Sequence, residues 1–346
     1  MERSSHAAPR MDDHGHRGFA QHPHWRRLGQ LLTLVFFALV VGMIATRART
    51  IAWDQVGESL RGMPVSTLLA AAGLALASYA IYAAFDWFAR SYLPDTLGAR
   101  MSRPRQFAIA WVSYAFNLNL GSLIGSVGFR YRLYSRSGVE AQTIARIIAL
   151  SLVTNWSGYF LLGGTVFALR CVRLPEGWEL GTTGLQLLGV GMLALLSAYV
   201  ALCARWHDRT LSLRGHEFRL PTLRLACAQI TLSSLNWLAI ATTIWVLLPE
   251  HVGFAAVLSV FLLSSVAGAV THVPGGIGVL EAVFFALLGS RVAEHDLLAA
   301  LLAFRGVYYI GPLAPGFLLY LWIELRGRRG SARRLRTPRR LSGAGP

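Results

Sequence analysis

Eight stretches of this chain are apolar over lengths near the roughly 20 residues that cross a bilayer as a helix, and arginine-bearing loops separate most of them. They fall at about 28–46, 65–89, 106–127, 141–168, 183–203, 224–249, 255–290 and 298–322. A soluble helical chain would show a polar face at a period of 3.6, which these runs lack. Hydrophobic residues make up 54% of the chain and charged residues only 14%. The sequence therefore describes an all-α polytopic membrane protein.

The net charge of +16 would suit nucleic acid if it were spread over one soluble face, but the basic residues sit in tails and between apolar runs. That is where the positive-inside rule places them, so no nucleic-acid partner is expected. All 33 are arginine. Their positions also choose a topology. If all eight segments are simple spans with both tails inside, the inner segments hold 19 arginines and the outer ones 12. If 106–127 and 255–290 instead return to the side they entered from, the division becomes 25 to 6. The second scheme obeys the charge bias far better. It predicts six full spans plus two re-entrant hairpins, with both termini cytoplasmic. It also makes residues 183–322 repeat the order of 28–168 upside down, an inverted repeat with broken helices near the midplane, as in many transporters.

This transmembrane domain, 28–325, is expected to lie between a disordered cytoplasmic tail at 1–27 and a basic cytoplasmic tail at 326–346. The run after Arg26-Arg27 has no small-x-small cleavage site and reads as an uncleaved span. Cys171, Cys203 and Cys227 form no metal spacing or disulfide frame, and small apolar filler accounts for them.

Within segment 255–290, His272-Val-Pro274-Gly275-Gly276-Ile-Gly278 interrupts the apolar run, and Glu281 follows at once. Lipid tolerates such a break only where the freed backbone meets protein or water. The glycines permit positive φ and close approach. A carboxylate at this depth faces a cavity or a partner. It also suits the first turn of a half-helix 279–289, where it complements the helix dipole. The two roles are compatible. His272 either donates to a phosphate or satisfies local carbonyls. Arg305, inside the last span, needs a partner, and Glu281 is a candidate.

The first hairpin carries related punctuation: Asn117, Asn119, Gly121, Gly125 and Gly128, ending at Arg130. Arg130, Tyr131, Arg132, Tyr134 and Arg136 form a basic-aromatic elbow, which reads either as an interface anchor or as a grip on a phosphodiester by Arg130 and Arg132. Asp86 could pair with Arg130 or Arg90. Buried amides are commonly interhelical glue, whereas Asn117 and Asn119 lie in the hairpin itself. No nucleophile elbow, P-loop, zinc spacing or dinucleotide fingerprint occurs, and neither a metal nor another cofactor is expected.

The run Asn119-Leu-Gly121 through Gly128-Phe-Arg130-Tyr-Arg132-Leu-Tyr134-Ser-Arg136, with the later Pro274-Gly275-Gly276-Ile-Gly278-Val-Leu-Glu281, resembles the lysylphosphatidylglycerol synthase transmembrane-region family over nearly all of 28–325. That family includes the flippase half of the MprF proteins and stand-alone bacterial inner-membrane members. The resemblance implies movement of a phospholipid, anionic or aminoacylated, between leaflets of the inner membrane. It does not carry the synthase activity, because the soluble aminoacyltransferase domain of MprF has no counterpart here. On this reading Arg130 and Arg132 recruit a headgroup, while Asn119, His272, Gly275, Gly276, Gly278, Glu281 and Arg305 line its path. Membrane phospholipids are then the partners. A non-transporting partner of an envelope-lipid enzyme is the alternative, and it would tolerate loss of Glu281 or Arg130.

Overall fold

The computed structural model describes residues 52–92, 101–171, 181–206, 210–213, 216–249, 251–271 and 273–336. The first apolar segment and His272 lie outside the described residues. Eleven α-helices follow in order among those residues: α1 Trp53–Gly62, α2 Val65–Tyr92, α3 Arg103–Leu120, α4 Arg130–Ser135, α5 Ala141–Ala168, α6 Gly181–Trp206, α7 Leu223–Leu247, α8 Phe254–Thr271, α9 Val279–Leu288, α10 Glu294–Phe304 and α11 Gly311–Arg336. Two π-helical stretches, Ser122–Phe129 and Arg305–Ile310, run directly into or out of neighbouring helices. Six helical stretches among the described residues are long and apolar enough to cross a membrane: 65–88, 141–168, 181–206, 223–247, 254–271 and 294–325. The loop after α6 adds a short antiparallel ribbon, β1 Thr210–Leu213 with β2 His216–Arg219, pairing Thr210 with Arg219. The apolar pattern of the sequence predicts no strand there; the all-helical class is otherwise as expected.

Polar contacts fix how the helices alternate. Tyr199 of α6 donates to Gln229 of α7 at 3.1 Å, and Gln229 donates to Thr154 of α5 at 2.8 Å. The end of α6 and the start of α7 are therefore at one end of the molecule, and α5, whose far end meets the start of α6, begins on that side as well. Met101, Tyr134, Val139, Ile144 and Ile323 share a hydrophobic cluster at that end. At the other end, Arg170 beyond α5 donates to Gln186 of α6 at 2.8 Å. Here α1 also packs its Val56 against Leu298 and Ala299 of α10.

Two segments double back. The helix α3 enters from the end where α6 stops and itself stops at Gly121, whose φ of +84° is open to glycine at no steric cost. The π-helical stretch and α4 return along it so closely that a side chain at Gly125 would strike the Asn117 backbone. Gln106 of α3 donates to the Asp86 carbonyl, and Arg130 of α4 reaches the Asp86 carboxylate, so the two arms end at one level. From the opposite end, α8 runs in, turns through Pro274–Gly276, and α9 returns. His251 and the Arg291 carbonyl, 3.1 Å apart, bring the two ends of that segment together.

Candidate functional site

The two turns meet. A Cβ built on Gly275 would stand 3.0 Å from the Leu118 carbonyl oxygen, leaving no slack between the two tips. Gly275, Gly276 and Gly278 all have positive φ, at +66°, +58° and +82°. The Gly278 N–H donates to Glu281 Oε2 at 2.8 Å, so Glu281 does cap the first turn of α9. It also has a second role. Arg305 Nε lies 2.9 Å from Oε1 and Nη2 lies 3.2 Å from Oε2. The same guanidinium donates to the Gly275 and Gly276 carbonyls and stands 4.5 Å over the Tyr309 ring. Arg305 thus holds the turn and the start of α9 together, inside the apolar stretch 294–325.

Arg130 forms the corresponding centre of the other segment. It is not on the surface of its elbow: it is 1% exposed, against a fully buried Asp86. Its Nη2 lies 3.1 Å from Asp86 Oδ1 and 3.2 Å from Ser151 Oγ, and its Nη1 lies 2.6 Å from Ser126 Oγ. Tyr134 donates to Asp86 Oδ2 at 2.7 Å. Such a pair survives out of water only because several bonds satisfy both charges at once. Asp86 therefore pairs with Arg130 and Glu281 with Arg305. Arg130 and Glu281, the two charges that end the hairpin motifs, each take their own partner rather than each other. Arg132 faces outward, toward Glu324 at 3.3 Å. Asn119 donates to the Ala115 and Tyr309 carbonyls at 2.8 and 3.1 Å, tying the first tip to the second π-helical stretch. The Asn117 Oδ1 is buried without a protein partner.

Between the ion pairs runs a buried chain of hydroxyls that the sequence reading missed. Ser78 donates to Asn236 Oδ1 at 2.7 Å and lies 2.6 Å from the Tyr308 hydroxyl, which lies 2.8 Å from that of Tyr114. A hydroxyl has one proton to give. Ser78 and Tyr308, with two contacts each, therefore give one bond and accept the other. Tyr114 stacks on Tyr82 at 3.7 Å, and Tyr82 lies under the Arg130 guanidinium at 5.5 Å. Tyr79 donates to the Tyr308 carbonyl at 3.1 Å. Tyrosines at helical spacing on α2 were a usable signal, but their partners on α3 and beyond α10 come from distant sequence. Among the described residues no three His, Cys, Asp or Glu side chains converge to hold a metal.

Alternating apolar helices, two segments that double back from opposite ends, and an arginine-carboxylate pair bound to each define a helical multi-pass membrane protein. The chain belongs to the family described as the lysylphosphatidylglycerol synthase transmembrane region, whose model matches residues 30–316. It is 40% identical to the inner membrane protein YbhN of Escherichia coli over 309 residues, covering 89% of this chain and 96% of that protein. A Synechocystis protein, slr0712, is 30% identical over 302 residues, 86% of this chain and 92% of its own length. A phosphatidylglycerol lysyltransferase of Staphylococcus haemolyticus is 27% identical over 227 residues, 62% of this chain but only 25% of that protein.

Proposed function

We propose that this protein moves a phospholipid between the leaflets of a bacterial inner membrane, without aminoacyl transfer of its own. The observation that carries this reading is the tip-to-tip meeting of two broken, doubled-back segments, with the Arg305–Glu281 pair beside the junction. In a bilayer these segments are re-entrant, and the two halves form an inverted repeat. Broken helices meeting at a repeat interface are where transporters place a substrate, and ionisable groups at that depth mark a pathway. The headgroup passes the tips, lined by Asn119, Gly275, Gly276, Gly278, Glu281 and Arg305, while the acyl chains stay in lipid. Arg132, on the return arm of the first hairpin, stands at the entry, while the buried Arg130 holds that arm in place through Asp86. The arginine-rich end faces the cytoplasm by the positive-inside rule. Movement is passive or ion-coupled, with Glu281 as the proton carrier in the second case. The similarity to a stretch of a phosphatidylglycerol lysyltransferase supports a phosphatidylglycerol-type lipid as cargo.

The test is purified protein in vesicles with a leaflet-specific readout of several phospholipids. Transfer of at least one, above protein-free vesicles, is expected. Folded protein that moves none of them overturns the reading.

A further inference from the structure

The outward face of α4 carries charges that the path through the hairpin tips does not use. Arg130, Leu133 and Tyr134 point inward; Tyr131, Arg132 and Arg136 point out. Arg132 and Arg136, one helical turn apart, converge on a single carboxylate of α11. Arg132 Nη2 lies 3.3 Å from Glu324 Oε1, and Arg136 Nη1 pairs with Oε2. The carboxylate is 9% exposed, whereas the two arginine side chains are 52% and 44% exposed. An aromatic floor lies beneath. Arg132 stands 5.8 Å over the Tyr320 ring, and Phe129, stacked on Phe116 at 4.1 Å, meets Tyr320 at 5.4 Å edge-on.

One carboxylate thus serves two guanidinium groups with five donors each. The cluster keeps a net positive charge and points its half-exposed side outward. Exposed Tyr131 neighbours Arg132 on α4, a residue type that settles at headgroup level. The helix α11 continues past the apolar stretch to Arg336, and beyond Leu325 it carries Arg326, Arg328, Arg329, Arg333, Arg334 and Arg336 but no acidic residue.

We propose that Arg132 and Arg136 form a docking site for the phosphodiester of an anionic phospholipid, with Glu324 as an internal competitor. The carboxylate holds the two guanidinium forks in the geometry that a phosphodiester accepts equally well. A lipid phosphate then takes the outward-facing donors, while its acyl chains lie along the apolar part of α11. Glu324 weakens the hold, so that the lipid is captured and released rather than kept. This rests on the reading of Arg132 as an entry contact and names its ligand and its companions. Capture is measured apart from movement, so the two can fail separately.

The experiment is native mass spectrometry of the full chain in neutral detergent, with phosphatidylglycerol, phosphatidylcholine or inorganic phosphate added. The wild type retains phosphatidylglycerol over phosphatidylcholine, and millimolar inorganic phosphate does not displace it. Replacing Arg132→Gln and Arg136→Gln together weakens retention at least about tenfold. Glu324→Gln strengthens it several-fold. Thermal midpoints accompany each variant; if the double glutamine variant does not fold, Arg132→Lys with Arg136→Lys, which keeps charge but loses the forks, gives an intermediate value. Equal retention of the two lipids, displacement by free phosphate, undiminished retention in a folded double variant, or weaker retention in Glu324→Gln overturns the proposal.

Discussion

Arg305 and Glu281, 24 positions apart, form a two-pronged pair of 2.9 and 3.2 Å beside the positive-φ turn of the second doubled-back segment. Arg130 and Asp86 do the same for the first segment, in reversed order. There the acid stands on the long helix before the segment and the arginine on its return arm; in the second the acid is on the return arm and the arginine follows. Each arginine also lies over a tyrosine, Tyr82 four positions before Asp86 and Tyr309 four positions after Arg305. Each segment is thereby fastened to a neighbouring span by charge as well as by packing.

The buried Asp86–Arg130 pair makes a sharp prediction about stability. Asp86→Leu alone leaves a guanidinium without its counter-charge and costs about 3–5 kcal/mol. Asp86→Leu combined with Arg130→Met removes both charges, and most of that loss is recovered. Unfolding in mixed micelles, carried through as a double-mutant cycle, measures the difference. A double variant as unstable as the worse single one would show that the pair is not the unit that matters.

Neighbouring glycines of the second turn should respond differently. Gly276→Ala meets nothing within 4 Å and bears only the left-handed backbone cost, about 1–2 kcal/mol. Gly275→Ala bears the same cost and also sets a Cβ 3.0 Å from the Leu118 carbonyl oxygen, a backbone atom of the opposing tip. The unfolding midpoint of Gly275→Ala should therefore fall below that of Gly276→Ala.

Arginine counting alone favoured doubling back at 106–127 and 255–290, because charges outside the membrane sort by side without any knowledge of contacts. Both ion pairs were also open to inference, since a charge in an apolar run must find a partner and few are on offer. What escaped was geometry that depends on distant sequence. Nothing local shows that Arg130 turns inward while Arg132, two residues on, turns outward to Glu324. The π-helical stretches at 122–129 and 305–310 leave no clear compositional mark, and the Tyr114–Tyr308 contact joins residues 194 positions apart.

Close helix approach gives another contrast. A side chain at Gly158 would strike Ser233 and the Ser234 backbone, so the contact between α5 and α7 depends on a small residue there. Gly191 on α6 faces open space. Gly158→Leu should abolish folded monodisperse protein in size-exclusion chromatography. Gly191→Ala should be neutral or stabilising by up to about 1 kcal/mol.

Side-specific labelling checks the alternation of helices. In a background with Cys171, Cys203 and Cys227 replaced, single cysteines at Ser135 and Trp206 should react from one face of the membrane. Single cysteines at Arg170 and Arg291 should react only from the other. Labelling of positions 206 and 170 from the same side would break the scheme.

The central claim is that a headgroup crosses at the junction held by Arg305 and Glu281. The direct measurement is leaflet-resolved phospholipid transfer in vesicles carrying wild type, Glu281→Gln or Arg305→Gln, each shown to be folded and inserted to the same extent. The predicted result is transfer by the wild type and loss of at least about tenfold in both variants, as expected for ionisable groups at membrane depth on the pathway. Transfer by both folded variants at the wild-type rate would contradict it.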